Sequence, residues 1–211
     1  PFPLARAREV LHERRAQQLA RQGGAPQPLG RFLQRARQLH RLLVLVAAAE
    51  DIRRGCALGI RSVLVADEGQ LWLINEMKKS GEIPADLVVK ISVQLSATNP
   101  IAVKILEDFG AGTFNVSSDQ PLPLLASIRQ AVSIPLDFYV ESPDNFGGFI
   151  RHFEIPEFIR VLSPLYVKLG LRNARDIYPS GSPIETTAIA LTKERVRRAK
   201  IAFDMIQRYC P

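Results

Sequence analysis

The sequence of 211 residues contains only two cysteines, Cys56 and Cys210, and three histidines. It has no CxxC pair and no Cys/His spacing, which excludes a zinc site or iron–sulfur cluster built within this chain. No metal is therefore expected, and the sequence names no cofactor. Two cysteines without a disulfide framework fit a reducing compartment, so a cytoplasmic location is expected. Long apolar runs are missing as well. Leu42 to Ala49 is apolar but only strand-length, well short of the roughly 18 residues that span a bilayer. No membrane partner is expected. The opening Pro1-Phe2-Pro3-Leu4-Ala5-Arg6 lacks the basic-then-apolar layout of a signal peptide. It also lacks an initiator Met, as expected for the end of a fragment or a processed product. No G-x-G-x-x-G follows the first strand and no G-x-x-x-x-G-K-[ST] occurs, which disfavours nucleotide binding through those motifs.

What is present is ordinary globular material. Hydrophobic residues make up 46% and charged residues 23%, which argues against disorder. The formal charge of +7 has a location. Residues 1–41 carry nine arginines against Glu9 and Glu13, whereas residues 42–211 balance nineteen basic with nineteen acidic side chains. Leu4–Arg21 reads as one helix and Phe32–His40 as another, so residues 1–41 form a basic helical arm. The arm is either a solvated helical pair or a contact surface. The aromatic interleaving of an RNA-binding surface is absent, and nucleic acid is disfavoured as a partner.

From residue 42 a repeat of strands and helices begins. Strands are expected at 42–46, 62–66, 88–95, 113–116, 135–140 and 166–169. Helices are expected at 50–58, 71–79, 100–109, 122–132, within 149–162, and at 192–209. Asn99 followed by Pro100 marks a helix start with an N-cap and Pro at N1. The segment from Ala49 to Ile60 resembles that from Thr98 to Ala111, each closing on a glycine turn. Strands separated by helical crossovers pair in parallel. The expected fold is thus an α/β, TIM-barrel-like parallel β/α repeat over residues 42–211. With about six strands where a closed barrel has eight, it is an incomplete barrel, a barrel fragment or an open doubly wound sheet.

Strand parity points to the chemistry. Sheets buried on both faces read as near-continuous Val, Ile and Leu. Here Val88, Lys90, Ser92 and Gln94 share one face of their strand, and Asp137, Tyr139 and Glu141 one face of theirs. Tyr166, Lys168 and Gly170 repeat the pattern. These polar faces should meet, bringing Lys90, Asp137 and Lys168 together as a structural ion-pair layer or as a ligand site. In the second case one lysine binds or polarises an anionic or carbonyl group, or acts as a Schiff-base nucleophile. Among the polar strand ends, Asn99 and Asp119 are explained by helix capping. Glu141 and Arg172 have no such role and are the better site candidates. The Asn145–Phe149 loop is either an anion cradle or a plain turn, and His152 is either a general acid–base or a structural histidine.

Residues 60–209 resemble the collagenase-like peptidases, a barrel family of unassigned mechanism. The resemblance is carried by Lys90-Ile91-Ser92-Val93-Gln94-Leu95 with Thr98-Asn99-Pro100, and by Ala111-Gly112-Thr113-Phe114-Asn115. Ile134-Pro135-Leu136-Asp137 and Gly147-Gly148-Phe149-Ile150-Arg151 through Glu154-Ile155-Pro156-Glu157 continue it. It implies a TIM-like barrel and a peptidase-related label. The family's glutamate-led segment with two closely spaced cysteines has no counterpart here, so no catalytic residue carries over.

The expected function is that of a hydrolase- or lyase-type barrel enzyme. Its substrate would be small and polar or anionic, or a peptide, held at the carboxyl ends of the strands. Lys168, Glu141 and Asp137 are the catalytic candidates. Lys90, Gln94, Asn115, Tyr139 and Arg172 are the substrate-binding candidates. The alternative is a non-catalytic binding or assembly module working through the Arg-rich arm, with a second copy of the chain as a candidate partner.

Overall fold

The computed structural model describes residues 29–178 and 180–210, with side chains from residue 43 onward. The elements are α1 (Leu29–Ala57), β1 (Ser62–Val65), α2 (Glu68–Lys79), β2 (Val88–Ile91), α3 (Pro100–Asp108) and β3 (Thr113–Val116). They continue as α4 (Leu122–Ala131), β4 (Leu136–Glu141), α5 (Ile155–Leu162), β5 (Leu165–Leu169) and α6 (Glu185–Tyr209). The strands form one five-stranded sheet in the order β1-β2-β3-β4-β5. The pairs β2–β3, β3–β4 and β4–β5 are parallel. The fold is α/β, and among the described residues the sheet stays open, with β1 and β5 at its edges.

The strand expected at 42–46 is helical, which reduces the expected six strands to five. Leu42–Val46 lies inside the 29-residue helix α1. No proline or glycine interrupts the chain between Arg31 and Arg54, and the neighbours are strong helix formers. A short apolar run fits either element, so its flanks decide. The same helix absorbs the candidate at 32–40 and runs unbroken through position 41/42. The helix expected at 4–21 lies outside the described residues.

Three helices end in the same way. After α1, Gly59 N–H donates to Cys56 O (2.9 Å) and Ile60 N–H to Gly55 O (3.0 Å). After α2 and α3 the equivalent pairs come from Gly81 with Glu82 and from Gly110 with Ala111. All three glycines have positive φ, at 89°, 76° and 96°. This is the Schellman geometry, in which glycine alone reaches the left-handed region without a Cβ penalty. Asp67 and Asn99 cap the starts of α2 and α3, accepting from Gln70 N–H (2.8 Å) and Ala102 N–H (2.9 Å). Asp119 caps nothing. Its carboxylate accepts from Ser117 Oγ, and α4 starts at Pro121 without a side-chain cap.

The chain divides into two compact units, Pro1–Val89 and Lys90–Pro211. In the first, Ala49, Leu71, Ile74 and Met77 are buried, and Arg53 pairs with Glu50 (3.0 Å) and Glu82. In the second, successive parallel strands always step in the same direction. Parallel crossovers are right-handed in about 98% of cases, so α3, α4 and α5 collect on one face of the sheet. A doubly wound sheet would reverse its strand order partway, and this one does not. The covered face carries Ile91, Phe114, Val116, Leu136, Phe138 and Val140, all buried. Opposite them lie Leu106, Ile128 and Phe158, with the Phe138 and Phe158 ring centroids 4.4 Å apart. Each such side chain contributes roughly 1.5–3 kcal/mol of burial. The other sheet face keeps the polar residues.

Candidate functional site

On that polar face the side chains alternate as parity requires. Lys90 is registered with Thr113, Asn115 with Asp137, and Tyr139 with Lys168. Asp137 is fully buried, and both lysine ammoniums lie 3.5 Å from its Oδ2. Thr113 Oγ1 donates to the same oxygen at 3.2 Å. With its amide assigned by hydrogen bonding, Asn115 accepts from Lys168 Nζ at 3.2 Å and donates to Asp137 O at 3.1 Å. Lys90 stacks over the Tyr166 ring at 4.6 Å and Lys168 over the Tyr139 ring at 5.2 Å. The lysine side chains keep 28% and 26% of their surface in solvent, whereas Asp137 keeps none. Asp137 Oδ1 is buried without a hydrogen-bond partner among the described residues. Burial first, then the Asp137 charge and Tyr178, push the Tyr139 phenol above its ordinary range against a smaller opposing effect of Arg195. Tyr139 therefore stays a neutral donor at physiological pH.

Glu141 is buried too, but its carboxylate serves other groups. Oε2 meets His152 Nε2 at 3.0 Å, and Oε1 accepts from Arg172 N–H at 2.9 Å and from the Arg198 guanidinium. The cause is a register shift. Tyr139 pairs with Lys168, yet Glu141 rather than Val140 pairs with Leu169, so β4 bulges at its carboxyl end. Residues 149–151 fold back onto this bulge, Ser142 N–H donating to Phe149 O (2.9 Å) and Arg151 N–H to Val140 O (2.7 Å). Glu141 thus pins β4, α6 and the loop after β5 together. His152, also buried, belongs to this cluster.

One expectation changes and one alternative is decided. The strand expected at 88–95 stops at Ile91, because Ser92 Oγ accepts from Gln94 N–H (3.2 Å) and opens a 3-10 turn. Ser96 at φ 56° closes that turn, leaving Gln94 exposed and locally bonded instead of in line with Lys90. The Asn145–Phe149 loop is a turn. Gly147 and Gly148 amides donate to Asp144 O and Pro143 O, and Phe149 N–H donates to Ser142 Oγ, leaving no amide cradle. Arg172 places its guanidinium at the surface, 3.8 Å from Asp144 Oδ1.

The loops after β4 and β5 enclose a cleft of about 560 Å3 at the strands' carboxyl ends. Tyr139 and Phe146 form one wall, with ring centroids 6.2 Å apart. Leu171, Ile177 and Tyr178 line it further, and Arg175 and Arg195 reach it from the second loop and from α6. Sequence reasoning missed these arginines and Tyr178, which carry no local motif. It also passed over Thr113, although the Thr113/Asn115 alternation against Phe114/Val116 signals it. Among the described residues no group of three His, Cys, Asp or Glu side chains could hold a metal ion. Nor is any described helix long and apolar enough to cross a membrane.

No family model and no curated protein matches the chain. One solved structure, described as that of the U32 peptidase Mk0906, is similar at 22% identity with a TM-score of 0.37. The alignment covers 47% of this chain and 37% of that one, so this chain spans little more than a third of that protein. The likeness is a distant resemblance and assigns no activity.

Proposed function

We propose that the chain is an enzyme-type β/α domain that takes a small anionic ligand on the polar face of its sheet. Lys90 and Lys168 are its anion-binding groups. The observation that carries this is the 2:1 arrangement, two partly exposed lysine side chains whose ammoniums are held by one buried carboxylate. One lysine would neutralise Asp137, so the second leaves a net positive charge facing solvent. A ligand carboxylate or phosphate completes the balance, and desolvated pairs of this kind are stronger than exposed ones.

Asp137 and Asn115 hold the lysines, while Tyr139 offers a neutral hydrogen bond beside Lys168. An ammonium so placed suits polarisation of a carbonyl or carboxylate, so Lys168 is the catalytic candidate. Glu141, with its oxygens already engaged, is a positioning residue. Lys90 reaches Asp137 across two strand spacings, about 10 Å. The unreversed strand order supports an incomplete TIM-type barrel.

Calorimetric titration of the full chain with malonate and with inorganic phosphate tests the reading. Saturable binding is expected, weakened at least tenfold by Lys168→Met and by Lys90→Met, with circular dichroism unchanged. Equal affinity in wild type and folded variants, or no saturation by either anion, overturns it.

A further inference from the structure

We infer that the cleft at the carboxyl ends of β4 and β5 is a second binding site, for a free small molecule made of an aromatic ring bearing an anionic group. The inference does not depend on the lysine pair. It follows from which charges in the cleft are already engaged. Asp144 accepts from Asn173 N–H at 2.7 Å through Oδ2, and Asp176 from Tyr178 N–H at 3.1 Å through Oδ1. Both carboxylates thus help to fold the loops that carry them. Arg195 and Arg175 line the same cleft with no hydrogen bond or ion pair among the described residues. Their contrast with the neighbouring Arg197 and Arg198 on α6, both paired to Glu194, is direct.

Guanidinium groups with unoccupied donors present a planar fork suited to carboxylate or phosphate. The remaining lining combines three aromatic rings, Tyr139, Phe146 and Tyr178, with the aliphatic Leu169, Leu171 and Ile177. Tyr139 and Phe146 are tilted 37° to each other, and Tyr178 is exposed at the rim. Such walls accept a flat ring by offset or edge contacts. The volume falls in the range of small-molecule pockets, about 300–1,000 Å3, which favours a free small molecule over a polypeptide segment. Tyr139 belongs to both sites, its ring lying under the Lys168 ammonium and lining the cleft.

Phenyl phosphate is the probe, titrated into the full chain and compared with inorganic phosphate, phenol and a blocked phosphotyrosine peptide. Phenyl phosphate should saturate. Phosphate and phenol should bind this cleft at least tenfold more weakly, and the peptide no more tightly than the free ligand. Arg195→Gln should weaken phenyl phosphate in the cleft at least tenfold and Tyr178→Ala several-fold, while neither changes the affinity of inorganic phosphate for the lysine pair. This separates the cleft from the lysine site. Absence of saturation, full retention in Arg195→Gln, tighter binding of the peptide, or an equal loss of inorganic phosphate in Arg195→Gln would each overturn the inference.

Discussion

Lys90 on β2 and Lys168 on β5 stand three strands apart, yet their ammonium nitrogens lie at the same 3.5 Å from one oxygen of Asp137. The cost of breaking this arrangement depends on which partner is removed. Asp137→Ala leaves two ammoniums facing each other without a counter-charge, and loss of a buried partner costs about 3–5 kcal/mol. Lys168→Met leaves Asp137 still paired with Lys90 and costs about 1 kcal/mol. Urea unfolding of the two variants measures the difference. Equal destabilisation would contradict the shared-carboxylate arrangement.

Glu141 gives a second asymmetry. Glu141→Ala takes the acceptor from His152 and from the Arg172 amide and leaves Arg198 paired with Glu194 alone, at a cost of about 1–3 kcal/mol for each buried group left unsatisfied. Arg198→Ala leaves His152 and the Arg172 amide bound to the carboxylate and should cost clearly less. Thermal unfolding of both variants provides the check.

The third prediction concerns pH. Burial alone would raise the Glu107 carboxyl, but bonds from Ser133, Lys104 and the Ser133 and Ile134 amides outweigh it and hold the group at about 2. A carboxyl depressed on folding contributes stability that is complete above its unfolded value and fades as pH falls through the folded one. The advantage of wild type over Glu107→Gln should therefore be constant above about pH 5 and shrink steadily toward pH 2. Denaturant midpoints measured across that window test it. An advantage that grows on acidification would refute the assignment.

Gly170 tests the loop packing behind the cleft. A Cβ there would lie 2.4 Å from Pro143 Cδ and 2.9 Å from the Pro143 nitrogen, which is backbone and cannot move aside as a flexible side-chain tip would. Gly170→Ala should cost about 1–3 kcal/mol by overpacking and disturb the wall shared by the two loops. Comparison of amide chemical shifts around Pro143 and Leu171 would reveal the displacement.

The polar row was legible in the sequence because period-2 alternation survives wherever a strand stays regular. Lys90, Asn115, Asp137, Tyr139 and Lys168 all keep the face that parity assigns them. Glu141 belongs to the same alternation but loses it to the bulge at the end of β4, and a bulge leaves no compositional mark. Gln94 fails for a related reason, since Ser92 diverts the backbone before the strand can reach it. Leu42–Val46 misled because five apolar residues fit a strand or a helix equally, and the flanking residues settle the matter. The cleft was hidden for a topological reason. Arg195 comes from a helix more than fifty residues beyond Tyr139, and only the folded chain brings them together.

An anion held jointly by Lys90 and Lys168 would be visible by anomalous diffraction from crystals soaked in selenate. A selenium peak is expected within hydrogen-bonding range of both ammoniums in the wild type, and its disappearance in Lys168→Met. A lysine pair bare in the wild type while selenate occupies other basic surface sites would contradict it.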